Sequence, residues 1–228
     1  LNLIMKIVKV NPKKSLNKAF LKQRPSRTEI ELFKTNLIKL LDKIDEIERE
    51  ENQKNHIRDF LRDTYYKETN EINTKDTKDL VIHLGKTNKE KVGVIIEAKR
   101  PSNRNEMLSE SKPNSKAFHE LVLYYLRERI EENNIDIKYL IATNVYEWYI
   151  FDASYFEKLF FRNKSFVKHY EEWRDGKKVT KDTNLFYNDI VKPFIESLDE
   201  EIPCTFFDIR VYETIIRNEN KTDDKTLI

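Results

Sequence analysis

The apolar positions of the chain change period several times, and each change marks an element. In TEIELFKTNLIKLLDKIDEIERE (28–50), Ile30, Phe33, Leu37, Ile38, Leu41, Ile44 and Ile47 recur at three- and four-residue spacing, which predicts an amphipathic helix. Pro25 and Ser26 ahead of it supply a break and a cap. A second helix is predicted over Asn52–Tyr66. Polar residues 67–78 give way to DLVIHLG (79–85) and VGVIIEAKR (92–100), two β-branched runs joined by the polar KTNKEK, hence a β-hairpin. Residues 101–116 hold two prolines and little that is apolar, which predicts a long loop of the kind that is commonly functional or disordered. AFHELVLYYLRERIEENN (117–134) reads as a helix with Phe118, Leu121, Val122, Tyr125 and Ile130 on its apolar face. IKYLIAT (137–143) and EWYIFDA (147–153) read as strands, with Trp148 and Tyr149 in the core. A helix between Lys99 and Ile137 permits a crossover, so the fold class is α/β, with a central mixed β-sheet flanked by helices. The opening LNLIMKIVKV reads as a strand or docking arm, and RNENKTDDKTLI (217–228) as a polar tail or linker.

One strand breaks its own pattern. Side chains alternate along a strand, so Ile95, Glu97 and Lys99 share one face while Val94, Ile96 and Ala98 share the other. Two charges thus end an apolar run, and buried charge is costly unless paired or bound to a metal. The carboxylate–x–lysine triplet itself is common here, recurring for example at Asp76/Lys78, Asp136/Lys138 and Asp175/Lys177. Only Glu97/Lys99 closes a β-branched run, and only there does the partner strand of the hairpin begin with an acid, Asp79. In a hairpin the start of the first strand faces the end of the second, so Asp79 approaches Glu97 and Lys99. Two converging carboxylates suit a hard divalent cation, and a lysine beside them can polarise water or stabilise charge on a phosphate. The chemistry implied is metal-assisted phosphodiester hydrolysis. The alternative is a sheet-edge ion pair.

Composition narrows the field. Only three glycines occur (Gly85, Gly93, Gly176), so there is no phosphate-binding Walker loop and no dinucleotide fingerprint. The four histidines lie without ligand spacing, and the single Cys204 excludes a disulfide framework and fits a reducing, cytoplasmic setting. No apolar run approaches the ~18 residues of a membrane span. With 42 basic against 40 acidic residues the net charge is +2, so any basic surface is local.

Asp79…Glu97-Ala98-Lys99, with a helix before and a helix after, resembles the PD-(D/E)XK nuclease motif. Lys78 stands where that motif has proline. IEAKRPSNRNEM, KAFHELVLYYLRERI and YLIATNVYEWYIFDA are similar to the N-terminal endonuclease region of type IIG restriction–modification enzymes, over roughly residues 15–215. The resemblance implies a restriction-endonuclease-like three-layer fold, with an arm over 1–27, a nuclease domain over 28–210 and a polar tail over 211–228. It also implies a Mg²⁺-dependent DNA endonuclease, with Mn²⁺ able to substitute. Asp79 and Glu97 are then the metal ligands and Lys99 the catalytic lysine. Glu51, Glu120 and Tyr124 are accessory candidates, and Arg100, Arg104, Lys112 and Lys116 are candidates for DNA phosphates. The expected partners are double-stranded DNA and, on the same polypeptide, methyltransferase and specificity domains. No N-P-P-[YF] methyltransferase motif occurs in these 228 residues, so that half is expected outside them. The rival expectation is a non-catalytic nucleic-acid or protein-binding module that keeps the nuclease fold.

Overall fold

The computed structural model describes residues 5–75 and 79–218, with the side chain of Asp79 outside the described part. Among the described residues seven strands form one sheet: β1 (Lys6–Val10), β2 (Ile72–Lys75), β3 (Asp79–His83), β4 (Val92–Ala98), β5 (Tyr139–Thr143), β6 (Glu147–Asp152) and β7 (Glu201–Asp208), in the order β1-β7-β6-β5-β4-β3-β2. The pairs β1–β7 and β4–β5 are parallel and the other four antiparallel, so the sheet is mixed. The 79–99 hairpin forms with Leu80 opposite Ile96 and Val81 opposite Ile95. The opening segment supplies the edge strand β1.

Helices cover both faces. After the short α1 (Pro12–Ser15) come α2 (Arg27–Lys43) and α3 (Glu50–Leu61), then α4 (Lys116–Leu126), which crosses over from β4 to β5. The short α5 (Ala153–Phe156), α6 (Lys164–Arg174), α7 (Thr183–Leu185), α8 (Lys192–Glu196) and α9 (Glu213–Ile216) follow. The α3 and α4 helices continue as wider π turns over Arg62–Tyr66 and Arg127–Glu131. No helix among the described residues is long and apolar enough to cross a membrane.

Period-two alternation in β4 explains the layers. Ile95 belongs to a core shared with α4 through Phe118, Leu121 and Val122, while Ile96 and Ala98 belong to a second core shared with α2 and α3 through Leu37, Leu40 and Ile57. Trp148 and Tyr149 are buried on opposite sides, one in each core. Aromatic rings bind α4 to β6 and α5: Phe118 lies 5.3 Å from Phe156 and 5.5 Å from Phe151 between ring centres.

The first helix is shorter than its periodicity predicts. Ser26 accepts from the Glu29 amide while Glu29 accepts from the Ser26 amide, a capping box that fixes the start. The helix stops at Lys43, because the Asp45 carboxylate accepts from the Ile47 amide and turns the chain; Ile47 is exposed rather than packed. Glu51 therefore lies in the first turn of α3, not at the end of the first helix. The 101–115 segment has no helix or named strand, as expected, but it is packed down: Pro101, Met107, Leu108 and Pro113 are buried.

Candidate functional site

Glu97 and Lys99 end the carboxyl half of a central strand, and the neighbours hold them in place. Glu97 pairs across to Ala142 of β5, and the Lys99 amide donates to the Thr143 carbonyl at 2.8 Å, continuing the ladder past β4. On the other side, the register one step beyond Leu80–Ile96 sets the Asp79 backbone across from Glu97. The Asp79 side chain, and Lys78 before it, lie outside the described residues. Both predicted central side chains are buried, Glu97 to 1% exposure and Lys99 to 2%.

Lys99 is the hub of an ionic cluster. Its Nζ lies 2.6 Å from Glu120 Oε2, 3.0 Å from Glu97 Oε1, 3.6 Å from Glu50 Oε2 and 3.8 Å from Glu106 Oε2. The expected accessory Glu120 thus reaches the site; it projects from α4, whose residues from Ala117 to Leu126 are all buried, so a carboxylate there must find a charge partner. Glu51 does not take the place expected of it. It is exposed, and its neighbour Glu50 points at Lys99 instead. Tyr124, one turn beyond Glu120, is buried and lines a cavity of about 420 Å³ with Arg127, Glu128 and Glu131.

Three contributors carry no sequence motif: Glu50, Glu106 from the long loop, and Lys54, whose Nζ is 3.9 Å from Glu97 Oε1. Asn103 donates to Glu50 (3.0 Å) and to Glu106 (3.1 Å), tying the loop to α3 over the lysine. The basic loop candidates divide. Arg100 and Arg104 are exposed, whereas Lys112 donates to the Asn105 carbonyl and Lys116 lies 3.1 Å from Glu106.

Electrostatics makes the cluster unusual. Burial, reinforced by the Glu120 charge, pushes the Glu97 carboxyl up to about 7, and Lys99 and Lys54 only partly offset this. Burial alone lowers an ammonium's pKa, but Glu97, Glu120 and Glu50 outweigh it and hold Lys99 above the usual lysine range. Glu97 Oε2 is buried with no hydrogen-bond partner, and Glu120 Oε2 meets Lys99 without hydrogen-bond geometry. Beside them the β5–β6 turn places Val145 at φ 75°, a left-handed conformation costly for a β-branched residue. The turn is held by the Thr143 hydroxyl, which accepts from the Val145 amide, and by the Trp148 indole, which donates to the Val145 carbonyl.

An unpartnered buried carboxylate oxygen beside a second carboxylate fits a hard divalent cation with oxygen ligands. Among the described residues, though, no three His, Cys, Asp or Glu side chains converge as a metal site. The side chain of Asp79, the other expected ligand, lies outside the described residues.

A mixed sheet with helices on both faces, and a buried ionic cluster at the carboxyl end of a central strand, defines the chain as a mixed α/β protein. Within that class the chain belongs to the family described as Domain of unknown function (DUF7149), whose profile matches residues 10–228. No curated protein and no solved structure matches the chain.

Proposed function

We propose that this chain is a metal-dependent endonuclease domain acting on double-stranded DNA, with a restriction-endonuclease-like architecture. One observation carries the reading: Glu97 is buried at the end of β4 with one oxygen unpartnered, its other oxygen 3.0 Å from Lys99, and the backbone of Asp79 alongside. Glu97 and Asp79 would hold a Mg²⁺ or Mn²⁺ ion, which, when bound, supplies Lewis-acid stabilisation of a phosphate oxygen and an acidified water. Because Glu97 holds its proton up to about 7, ligation by this residue would release a proton, making affinity rise with pH. Lys99, held charged, is no general base at neutral pH; its role is to stabilise negative charge developing on the phosphate. Glu120, Glu50 and Glu106 position the Lys99 ammonium. The resemblance to type IIG enzymes adds the proposal that methyltransferase and specificity domains accompany this region.

A second reading has its own support. Lys99 is 2% exposed and enclosed by four carboxylates, as a purely structural ion cluster in a non-catalytic binding module would be. Nicking of supercoiled plasmid in Mg²⁺ separates the two. Nicking by the wild type that falls about 10²-fold or more in Lys99→Ala and Glu97→Gln supports the nuclease, on the scale of a lost electrostatic stabiliser. Undiminished nicking by both variants rules that site out.

A further inference from the structure

Charge is unevenly distributed along this nearly neutral chain. Eight of the 42 basic residues and none of the 40 acidic ones lie in residues 1–28, so the other 200 residues hold 34 basic against 40 acidic. Within this segment Lys13, Lys14, Lys18, Lys22 and Arg24 are all exposed. Among the described residues, Lys9 pairs with Glu110 at 3.7 Å and Arg27 pairs with Glu31, but no ion pair engages those five. Leu16, Phe20 and Leu21 in the same stretch are exposed as well. Together with Arg24, Ile30, Phe33 and Tyr65 they line an open cavity of about 500 Å³, which sets the segment beside α2 and the turn after α3.

Sheet topology fixes where this surface begins. β1 runs parallel to β7, two antiparallel steps lead to β5, and β5 is parallel to β4, so the carboxyl ends of β1 and β4 lie at the same end of the sheet. Four strand spacings separate them, about 19 Å. The basic segment therefore leaves the sheet on the same end as Glu97 and Lys99, at a distance of about six base pairs of duplex rise.

We infer that residues 13–24 form a sequence-independent contact for the phosphate backbone of a nucleic-acid duplex, gripping it several base pairs from the Glu97–Lys99 site. This deepens the nuclease reading and rests on it for the choice of duplex. A short run of exposed cations with no ion pair among the described residues, and no acid within it, matches a polyanion with regularly spaced charge.

The test uses a fluorescent 20-base-pair DNA duplex, with anisotropy read in EDTA across a KCl series so that cleavage plays no part. In the variant Lys13→Glu/Lys14→Glu/Lys18→Glu/Lys22→Glu, the slope of log Kd against log salt should fall by about 3 to 4, and affinity at moderate salt should weaken at least about tenfold. A melting temperature close to wild type checks that the exposed substitutions leave the fold intact. Equal affinity and slope in wild type and variant, or no duplex binding by the wild type, overturns the inference. So does loss of binding to phosphatidylserine vesicles with duplex affinity unchanged. Failure of the nuclease reading looks different: the wild type would bind duplex through this segment yet never nick plasmid in Mg²⁺.

Discussion

Two buried glutamates, Glu128 and Glu97, meet the same cost of desolvation in opposite ways. Glu128, in the π turn after α4, is 7% exposed and has a partner for each oxygen: Lys75 pairs with Oε1, and Asn134 donates to Oε2 at 3.1 Å. Asn134 also donates to the Val92 carbonyl, so the network stitches the helix end to the start of β4. Glu97, at the other end of the same strand, keeps one oxygen unpartnered, faces a second carboxylate and is pushed up to about 7 by burial and by Glu120. Most buried polar groups are satisfied, and a carboxylate that is both unpartnered and perturbed marks a candidate site. The contrast separates scaffold from candidate site along a single strand.

The largest expected effect comes from removing the hub. Lys99→Ala leaves Glu97 and Glu120 buried without their cation and should cost about 3 kcal/mol or more at pH 8, measured by urea unfolding. The partly exposed Lys75 partner of Glu128 should cost only about 1 kcal/mol on the same substitution. Equal losses would erase the distinction between the two networks.

Neutralising the carboxylates should give opposite signs. Glu128→Gln removes a satisfied ion pair and should destabilise by about 1–2 kcal/mol. Glu97→Gln removes a charge repelled by Glu120 and starved of partners, so in EDTA at pH 8 it should be neutral or stabilising by about 1 kcal/mol. Destabilisation of similar size in both would make Glu97 an ordinary structural ion pair.

The pH dependence follows from the raised Glu97 carboxyl. The folded state holds this proton up to about 7 against an ordinary value of 4.5, so its contribution is fully present below the lower value and lost as pH rises through the upper. Buried His119, lowered to about 4 by burial and by nearby Lys192, works in the opposite direction at lower pH. The difference between wild type and Glu97→Gln isolates the glutamate, and wild type should lose on the order of 1–3 kcal/mol relative to the variant between about pH 5 and 8. A flat difference would mean that Glu97 titrates normally.

Much of this arrangement can be read from the amino-acid order. The hairpin, α4 and the β5–β6 pair carry strong periodicity, and the charges of Glu97 and Lys99 stand out because they interrupt it. β7 is harder to see, since it contains Pro203, which normally argues against a strand; the proline pairs with Val8 of β1 and lies beyond Thr205, where the pairing with β6 ends. β2 is four residues, mostly polar, at the sheet edge. Residues 164–196 form helices whose core contacts rest on scattered aromatics: Phe166, Tyr170, Trp173 and Phe186. In the site, Glu120 is legible because it lies on the buried helix following the motif. Glu50, Lys54 and Glu106 are not, because nothing local distinguishes them from other charges in a chain that is 36% charged; only the packing of α3 and the loop over β4 selects them. The neighbouring choice between Glu50 and Glu51 turns on where α3 begins, and periodicity alone does not resolve that phase.

The central claim is that the unsatisfied carboxylate is a divalent-cation ligand, and melting in Mn²⁺ tests it most directly. A ion that binds only the folded state raises its melting temperature by mass action. The account predicts a rise for the wild type in millimolar Mn²⁺ over EDTA, larger at pH 8 than at pH 6, and lost in Glu97→Gln. An identical melting temperature with and without Mn²⁺, or a rise retained in full by Glu97→Gln, would contradict it.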